Sequence, residues 1–344
     1  MTTKTLKTTD LAAWLQAAQP THRLVAPTQV DENLIDFAPI TTPDQIVPHT
    51  HYVNTRQSIK QFFFPRSEPL LDFDRTPDGV DLHEPTTEFP NTLIYGCRPC
   101  DAASLPTMDA LYGWDTRDSF WFQRREATTI VAIACTTADP SCFCTAVGGA
   151  PDATTGSDIL LTPIDDTTFL AEIITPKGQA LIDLAPTLFT DGTADKQAAT
   201  QPARDTLPPP LDLDAVTTWL ADHFDDEHYA QWSLKCLGCG CCTFLCPTCH
   251  CFDIVDEGSF RHGQRRKNWD ACQFPTFTLH ASGHNPRPDQ AARWRQRLQH
   301  KFNYYVQKFD LRSCVGCGRC IRSCPVNMNI HAQLTQIATE LAAK

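Results

Sequence analysis

Two stretches of cysteine share one spacing: Cys236, Cys239, Cys242 and Cys246 before Pro247, and Cys314, Cys317, Cys320 and Cys324 before Pro325. Each reads C-x2-C-x2-C-x3-C-P, the run whose first three thiolates hold one iron–sulfur cubane while the fourth reaches a neighbouring cubane. Three such cysteines on a tight loop converge on three irons of one cube. Glycines such as Gly238 and Gly316 let backbone N–H groups approach the sulfides. The wider last spacing carries the fourth cysteine onto a following helix, pointing away. The crossed assignment gives Cys236, Cys239, Cys242 and Cys324 to one [4Fe-4S] cluster. Cys314, Cys317, Cys320 and Cys246 go to a second. Zinc sites favour two separated C-x2-C pairs, a different pattern.

A third group lies nearer the N-terminus. Cys97 and Cys100 follow an apolar run in YGCRPCD, Cys135 ends the next such run, and Cys142 and Cys144 form a C-x-C in PSCFC. Two strand ends and a C-x-C loop can gather four thiolates at one sheet edge. Five cysteines compete for those four places, and buried or redox-active thiols are the alternative. Cys241, Cys249, Cys251 and Cys272 are surplus to two cubanes and suit small buried hydrophobes. His250, His284 and His300 suit hydrogen-bonded packing. Arg261, Arg265, Arg266 and Lys267 suit either an acidic partner or a solvated loop.

The elements that must position these residues follow from composition and periodicity. The 344 residues suit two domains, and a hydrophobic fraction of 42% with 20% charged residues is that of a soluble globular chain. Seventeen cysteines, an odd and tightly clustered number, argue against a secreted disulfide framework. Residues 1–20 begin with scattered Thr and Lys and then read as an amphipathic helix, with no signal-peptide apolar region, and no stretch of 18 apolar residues occurs, so a cytoplasmic chain with no membrane span is expected. Residues 1–212 hold 14 basic against 28 acidic side chains, and residues 213–344 hold 15 against 12. Such acidity disfavours nucleic acid as a partner. The basic excess coincides with the densest cysteines and offsets anionic clusters.

The expected fold class is α+β: an N-terminal mixed α/β domain over 1–190 with an iron–sulfur site, a Pro-rich linker over 191–214, and a mainly helical two-cluster ferredoxin-like domain over 215–344 with a long insertion, 247–313. NTLIYG and ATTIVAIAC read as buried strands, DILLTPI and TFLAEII as a hairpin, and Pro176 opens a helix. Asp214 reads as the N-cap of a helical stretch reaching Trp232, and residues 291–304 and 328–342 read as further helices.

The ordered set GCRPCDAASLPTMD, SCFCTAVGGAP, CPTCHCFDIVDE, WDACQF, SGHNPRP, HKFNY and CVGCGRC resembles the β subunit of soluble sulfhydrogenases, the NAD(P)-linked [NiFe] hydrogenases, and is equally similar to the iron–sulfur relay component of anaerobic sulfite reductase. The resemblance runs from about Gln61 to the end. It implies a third [4Fe-4S] cluster on Cys100, Cys135, Cys142 and Cys144, with Cys97 left out where relatives often carry an aliphatic residue. It also implies the partners: a flavin/NAD(P)-binding subunit with its own iron–sulfur cluster, and the small and large [NiFe] hydrogenase subunits, or a siroheme subunit instead.

No G-x-G-x-x-G follows a strand and no Walker A run occurs, so no nucleotide site is evident. No catalytic residues stand out, and a non-catalytic electron-transfer subunit of an oxidoreductase complex is the expected role. A redox-sensing or structural iron–sulfur protein is the alternative of another class.

Overall fold

The computed structural model describes residues 2–85 and 87–341. The chain opens with strand β1 (Thr2–Lys7), helix α1 (Leu11–Ala18) and the hairpin β2 (Arg23–Asp31) and β3 (Leu34–Ile40). The amphipathic helix expected after the Thr- and Lys-rich start is α1, and the start itself is a strand. Thr3, Thr5 and Leu6 pair with the edge of a sheet instead. A second hairpin, β4 (Ser67–Thr76) and β5 (Gly79–His83), precedes β6 (Thr92–Cys97). Helices α2 (Pro99–Tyr112) and α3 (Ser119–Ala127) then lead to β7 (Thr128–Ile133). The hairpin β8 (Ile159–Pro163) and β9 (Thr168–Ile173), helix α4 (Pro176–Ile182) and the short β10 (Phe189–Asp191) complete the first half.

Eight strands form one sheet in the order β10-β1-β9-β8-β7-β6-β2-β3. Its centre, β2-β6-β7-β8, is parallel, and the flanking pairs are antiparallel. The centre strands are apolar on both faces because both are covered. Leu93, Tyr95, Val131 and Ile133 face a core shared with Trp14 and Leu15. Ile94, Ile130 and Ala132 face a second core with Phe63, Leu105 and Trp121. This alternation delivers Cys97, Cys100 and Cys135 to the carboxyl ends of β6 and β7, where an open parallel sheet presents its loops.

The segment expected as a linker is partly helical. Helix α5 (Lys196–Thr206) is capped by Asp195, whose side chain accepts from the Ala198 N–H. Lys196 ties it down through Glu172, 2.8 Å away, and Arg204 through Asp152. After Pro208–Pro210, helix α6 (Leu213–Asp222) starts earlier than expected, because Asp212 rather than Asp214 accepts from the Ala215 N–H. Helices α7 (His228–Ser233) and α8 (Cys241–Phe244) follow. Then comes a hairpin, β11 (Phe252–Gly258) and β12 (His262–Trp269), so the second half is not purely helical. Helix α9 (Gln290–Gln299) runs through a π-helical turn, His300–Tyr304, into α10 (Tyr305–Phe309). Helices α11 (Arg319–Arg322) and α12 (Ile330–Gln336) close the chain, with a second π-helical turn at Ile337–Leu341. The expected final helix residue, Ala342, lies outside the described residues.

The two halves interlock. Strand β12 pairs with β4, giving a second sheet in the order β11-β12-β4-β5. Arg265 and Arg266, read as partner-facing or solvated, sit on β12, and Arg265 pairs with Asp256 at 2.8 Å. Lys267 is buried against Glu68 at 2.9 Å. A third core joins Trp219, Trp294, Leu298 and Leu334 of the second half to Phe143 and Val147 of the first.

Candidate iron–sulfur centres

Each C-x2-C-x2-C loop is shaped by two glycines in the left-handed region, at φ +66° and +73° for Gly238 and Gly240 and at +62° and +73° for Gly316 and Gly318. Only glycine takes this conformation without strain. It bends the loop so that its sulfurs face one centre and its last residue begins a short helix, α8 or α11.

Cys314, Cys317, Cys320 and Cys246 line one small cavity. Cys246 arrives from the other motif and lines this cavity beside Cys314, Cys317 and Cys320. Cys100, Cys135, Cys142 and Cys144 line a second small cavity. Cys97 is fully buried on β6 in the sheet core and does not line it. In the remaining set, Cys239 is exposed while Cys236, Cys242 and Cys324 are half-buried. Burial raises the Cys236 thiol, and the neighbouring Cys239 and Cys324 sulfurs raise it further. Among the described residues no three His, Cys, Asp or Glu side chains converge tightly enough to hold one metal ion. Two of the three cysteine sets line cavities rather than a point, and four cysteine sulfurs are the donor set a cubane takes.

The electrostatics match an anionic guest. Burial pushes the Cys317 and Cys144 thiols up to about 12 and Cys135 up to about 11. These thiolates need added positive charge before they form in place. Four buried cations surround them. Lys301 donates to the Cys246 sulfur at 3.3 Å and to the Ser313 carbonyl at 2.6 Å. Arg297 lies 3.6 Å from the Cys249 sulfur. Arg98 borders the N-terminal cavity and donates to the carbonyls of Val53, His49, Tyr52 and Ala134. Arg319, between Gly318 and Cys320, forms a bidentate pair with Asp101 at 2.7 and 2.9 Å. Hydrogen bonds to sulfur, which tune cluster potentials, come from Gln290 to Cys236 at 3.1 Å and from the Met328 N–H to Cys324 at 3.2 Å.

The two cavities share a wall. Cys317 lines both. The Phe143 N–H donates to the Gly316 carbonyl at 2.8 Å, and a Cβ on Gly316 would sit 2.5 Å from Cys144 backbone atoms. A Cβ on Gly318 would meet the Ser141 carbonyl at 2.4 Å. The C-x-C loop therefore lies directly on the second cysteine motif.

Residue spacing alone did not single out Arg98, Asp101, Arg297, Lys301 or Arg319 as parts of the site. For Arg98, Asp101 and Arg319 the available signal was a position beside cysteines in RPCD and CGRC, whereas Arg297 and Lys301 lie in the basic stretch 291–304, far from any cysteine in sequence. His250 and His300 pack against each other with ring centroids 5.1 Å apart, and burial holds them down at about 3 and about 4. His284 lies in an exposed turn, its ring 5.3 Å from that of His280.

Comparison with known proteins agrees with this construction. The family model for a 4Fe-4S dicluster domain matches residues 235–328. The β subunit of sulfhydrogenase 2 from Pyrococcus furiosus is 31% identical over 242 residues, covering 69% of this chain and 71% of that one. No solved structure matches. No helix among the described residues is long and apolar enough to cross a membrane. The shared dicluster motifs and the extent of the match make this chain an iron–sulfur protein of the sulfhydrogenase β-subunit family.

Proposed function

We propose that the chain is the electron relay of a multi-subunit [NiFe] hydrogenase of the sulfhydrogenase type, placed in the cytoplasm between the catalytic small and large subunits and a flavin/NAD(P)-binding subunit. Three [4Fe-4S] clusters are the cofactors. Cys236, Cys239, Cys242 and Cys324 hold one, Cys246, Cys314, Cys317 and Cys320 the second, and Cys100, Cys135, Cys142 and Cys144 the third. When bound, each supplies one-electron chemistry. The observation that carries this reading is Cys317 on the wall of both cavities, with the Gly316 carbonyl bonded to Phe143.

The chain's own residues do the rest. The paired glycines fix the loops, and Lys301, Arg297, Arg98 and Arg319 balance negative charge away from water. Leu234 and Leu237, 84% and 67% exposed, stand on either side of Cys236 in the chain, just before the exposed Cys239, and give a partner an apolar landing beside one ligand set.

The anaerobically purified chain should contain about twelve irons, four per cluster. About eight would remove the third site, and zinc in place of iron would remove all three. Cys317→Ala should abolish NAD(P)H-linked turnover of the complex while the catalytic subunits keep activity with an artificial donor. Equal loss in both assays would leave the clusters a structural or sensing role. Nickel in the co-purified complex identifies the hydrogenase, and siroheme would identify the corresponding relay of an anaerobic sulfite reductase instead.

A further inference from the structure

With twelve sulfurs assigned to clusters and Cys97 in the sheet core, Cys241, Cys249, Cys251 and Cys272 remain without a role. Cys241 turns to the Ser323 carbonyl at 3.5 Å, and Cys249 hydrogen-bonds the ligand Cys246. The last two meet each other. Cys251 directly precedes β11, and Cys272 lies just beyond β12. The ladder between these strands pairs Phe252 with Trp269, and the Asp270 N–H then donates to the Cys251 carbonyl at 2.9 Å. The open end of the hairpin thereby sets the two cysteines side by side, close enough that each thiol acts on the other's ionisation. Cys272 is buried and Cys251 half-buried, so protons have a path to one sulfur. The Cys272 sulfur also receives the Gln273 amide at 3.5 Å and touches the Thr243 hydroxyl at 3.6 Å. Thr243 is the residue after Cys242, so the pair stands one residue from a cluster ligand.

Two thiols in contact at the end of a β-ladder meet the first geometric requirement for a disulfide. A pair kept only for packing would not need its two sulfurs against each other. We propose that Cys251 and Cys272 form a dithiol–disulfide centre that exchanges two electrons and two protons beside the iron–sulfur site of Cys236, Cys239, Cys242 and Cys324. This rests on the cluster assignment above. In the reductive direction the Sγ–Sγ bond breaks, and each sulfur gains one electron and one proton. The two electrons arrive singly from reduced [4Fe-4S] clusters, each of which is oxidised by one electron, and the protons come from solvent on the Cys251 side. Oxidation reverses every step, and no other reactant is needed. The chain would then join one-electron carriers to a two-electron store.

The test uses the iron-loaded chain, equilibrated anaerobically in glutathione buffers of graded oxidation, alkylated with N-ethylmaleimide, digested and weighed. The expected result is a cross-linked Cys251–Cys272 peptide, two hydrogens lighter than the sum of its parts, at full iron content. Dithionite should open it faster in the loaded chain than in the iron-free chain. Cys272→Ser should abolish the linked peptide, leave Cys251 open to alkylation and keep the iron. Separate alkylation of both cysteines in every buffer overturns the proposal, as does loss of a cluster's iron in Cys272→Ser, which would make Cys272 a ligand. Equal opening rates with and without iron overturn the coupling to clusters. A chain that takes up no iron on anaerobic reconstitution yet still forms the linked peptide would refute the cluster reading while leaving the disulfide in place.

Discussion

The buried pair between Arg319 and Asp101 is the most exacting place to test how the two halves are held together. Arg319 is 0% and Asp101 1% exposed at the side chain, and both guanidinium–carboxylate bonds are short. The guanidinium also donates to the Thr55 carbonyl at 2.9 Å and the Thr55 hydroxyl at 3.3 Å. Asp101→Ala leaves this charge buried with only Thr55 as a partner. Breaking a buried pair from one side costs about 3–5 kcal/mol, a large share of the roughly 5–15 kcal/mol that stabilises a typical domain. With a urea dependence of about 3 kcal/mol per molar or more for a chain of this size, the anaerobic unfolding midpoint should fall by about 1 M. Tryptophan fluorescence reads the transition. Arg319→Met combined with Asp101→Leu should recover much of the loss, because the orphaned charge is gone. A single-variant loss below about 1 kcal/mol would refute the reasoning, since such a value belongs to a solvated pair.

Four further outcomes are expected. Cys100→Ala should lower iron by about four per chain without touching the other eight, measured by iron analysis; an unchanged count would remove Cys100 from the ligand set. Gly316→Ala forces a Cβ to 2.5 Å from Cys144 at a φ of +62°, so it should destabilise the chain and disturb the N-terminal centre, read by thermal unfolding and iron content. Lys301→Met removes a buried cation 3.3 Å from the Cys246 sulfur and should shift the adjoining cluster to a more negative potential in a redox titration. Burial, with His300 beside it, holds His250 at about 3, below its ordinary value, so the native state stays neutral where the unfolded chain takes up a proton. Stability should therefore decline as pH falls below about 6.5, and His250→Gln should flatten the decline in urea midpoints between about pH 7.5 and 5.5.

Much of this architecture was readable in the residues, for identifiable reasons. Strands β6 and β7 are continuous apolar runs because both faces of the sheet are covered. The β8–β9 hairpin announced itself by alternation around Asp165. The dicluster domain followed from a cysteine spacing that few other sites share. Helix α5 escaped notice because Pro202 sits inside it and only Thr200 and Ala203 are buried, leaving little apolar periodicity. The N-cap of α6 was misplaced by two residues because Asp212 and Asp214 offer the same chemistry, and only geometry decides which carboxylate reaches the Ala215 N–H. Strands β11 and β12 were unreadable because DEG and HGQRRKN are polar on both faces, and what holds them is pairing to β4. Arg319 and Asp101 lie 218 positions apart, a separation no local pattern encodes.

The mixed second sheet has a consequence for biosynthesis. Ser67 meets Asn268 across 201 positions of chain, so β4 and β5 leave the ribosome long before their partner exists. Until then β4 offers a row of unsatisfied amides and carbonyls, a template for mispairing. Closure of so distant a contact is slow; the first cysteine motif lies inside the loop it closes and the second lies beyond it. A site that uses Cys314 to Cys324 would be completed only when nearly the whole chain has been made, and a fragment ending before β12 would leave the β4 edge bare.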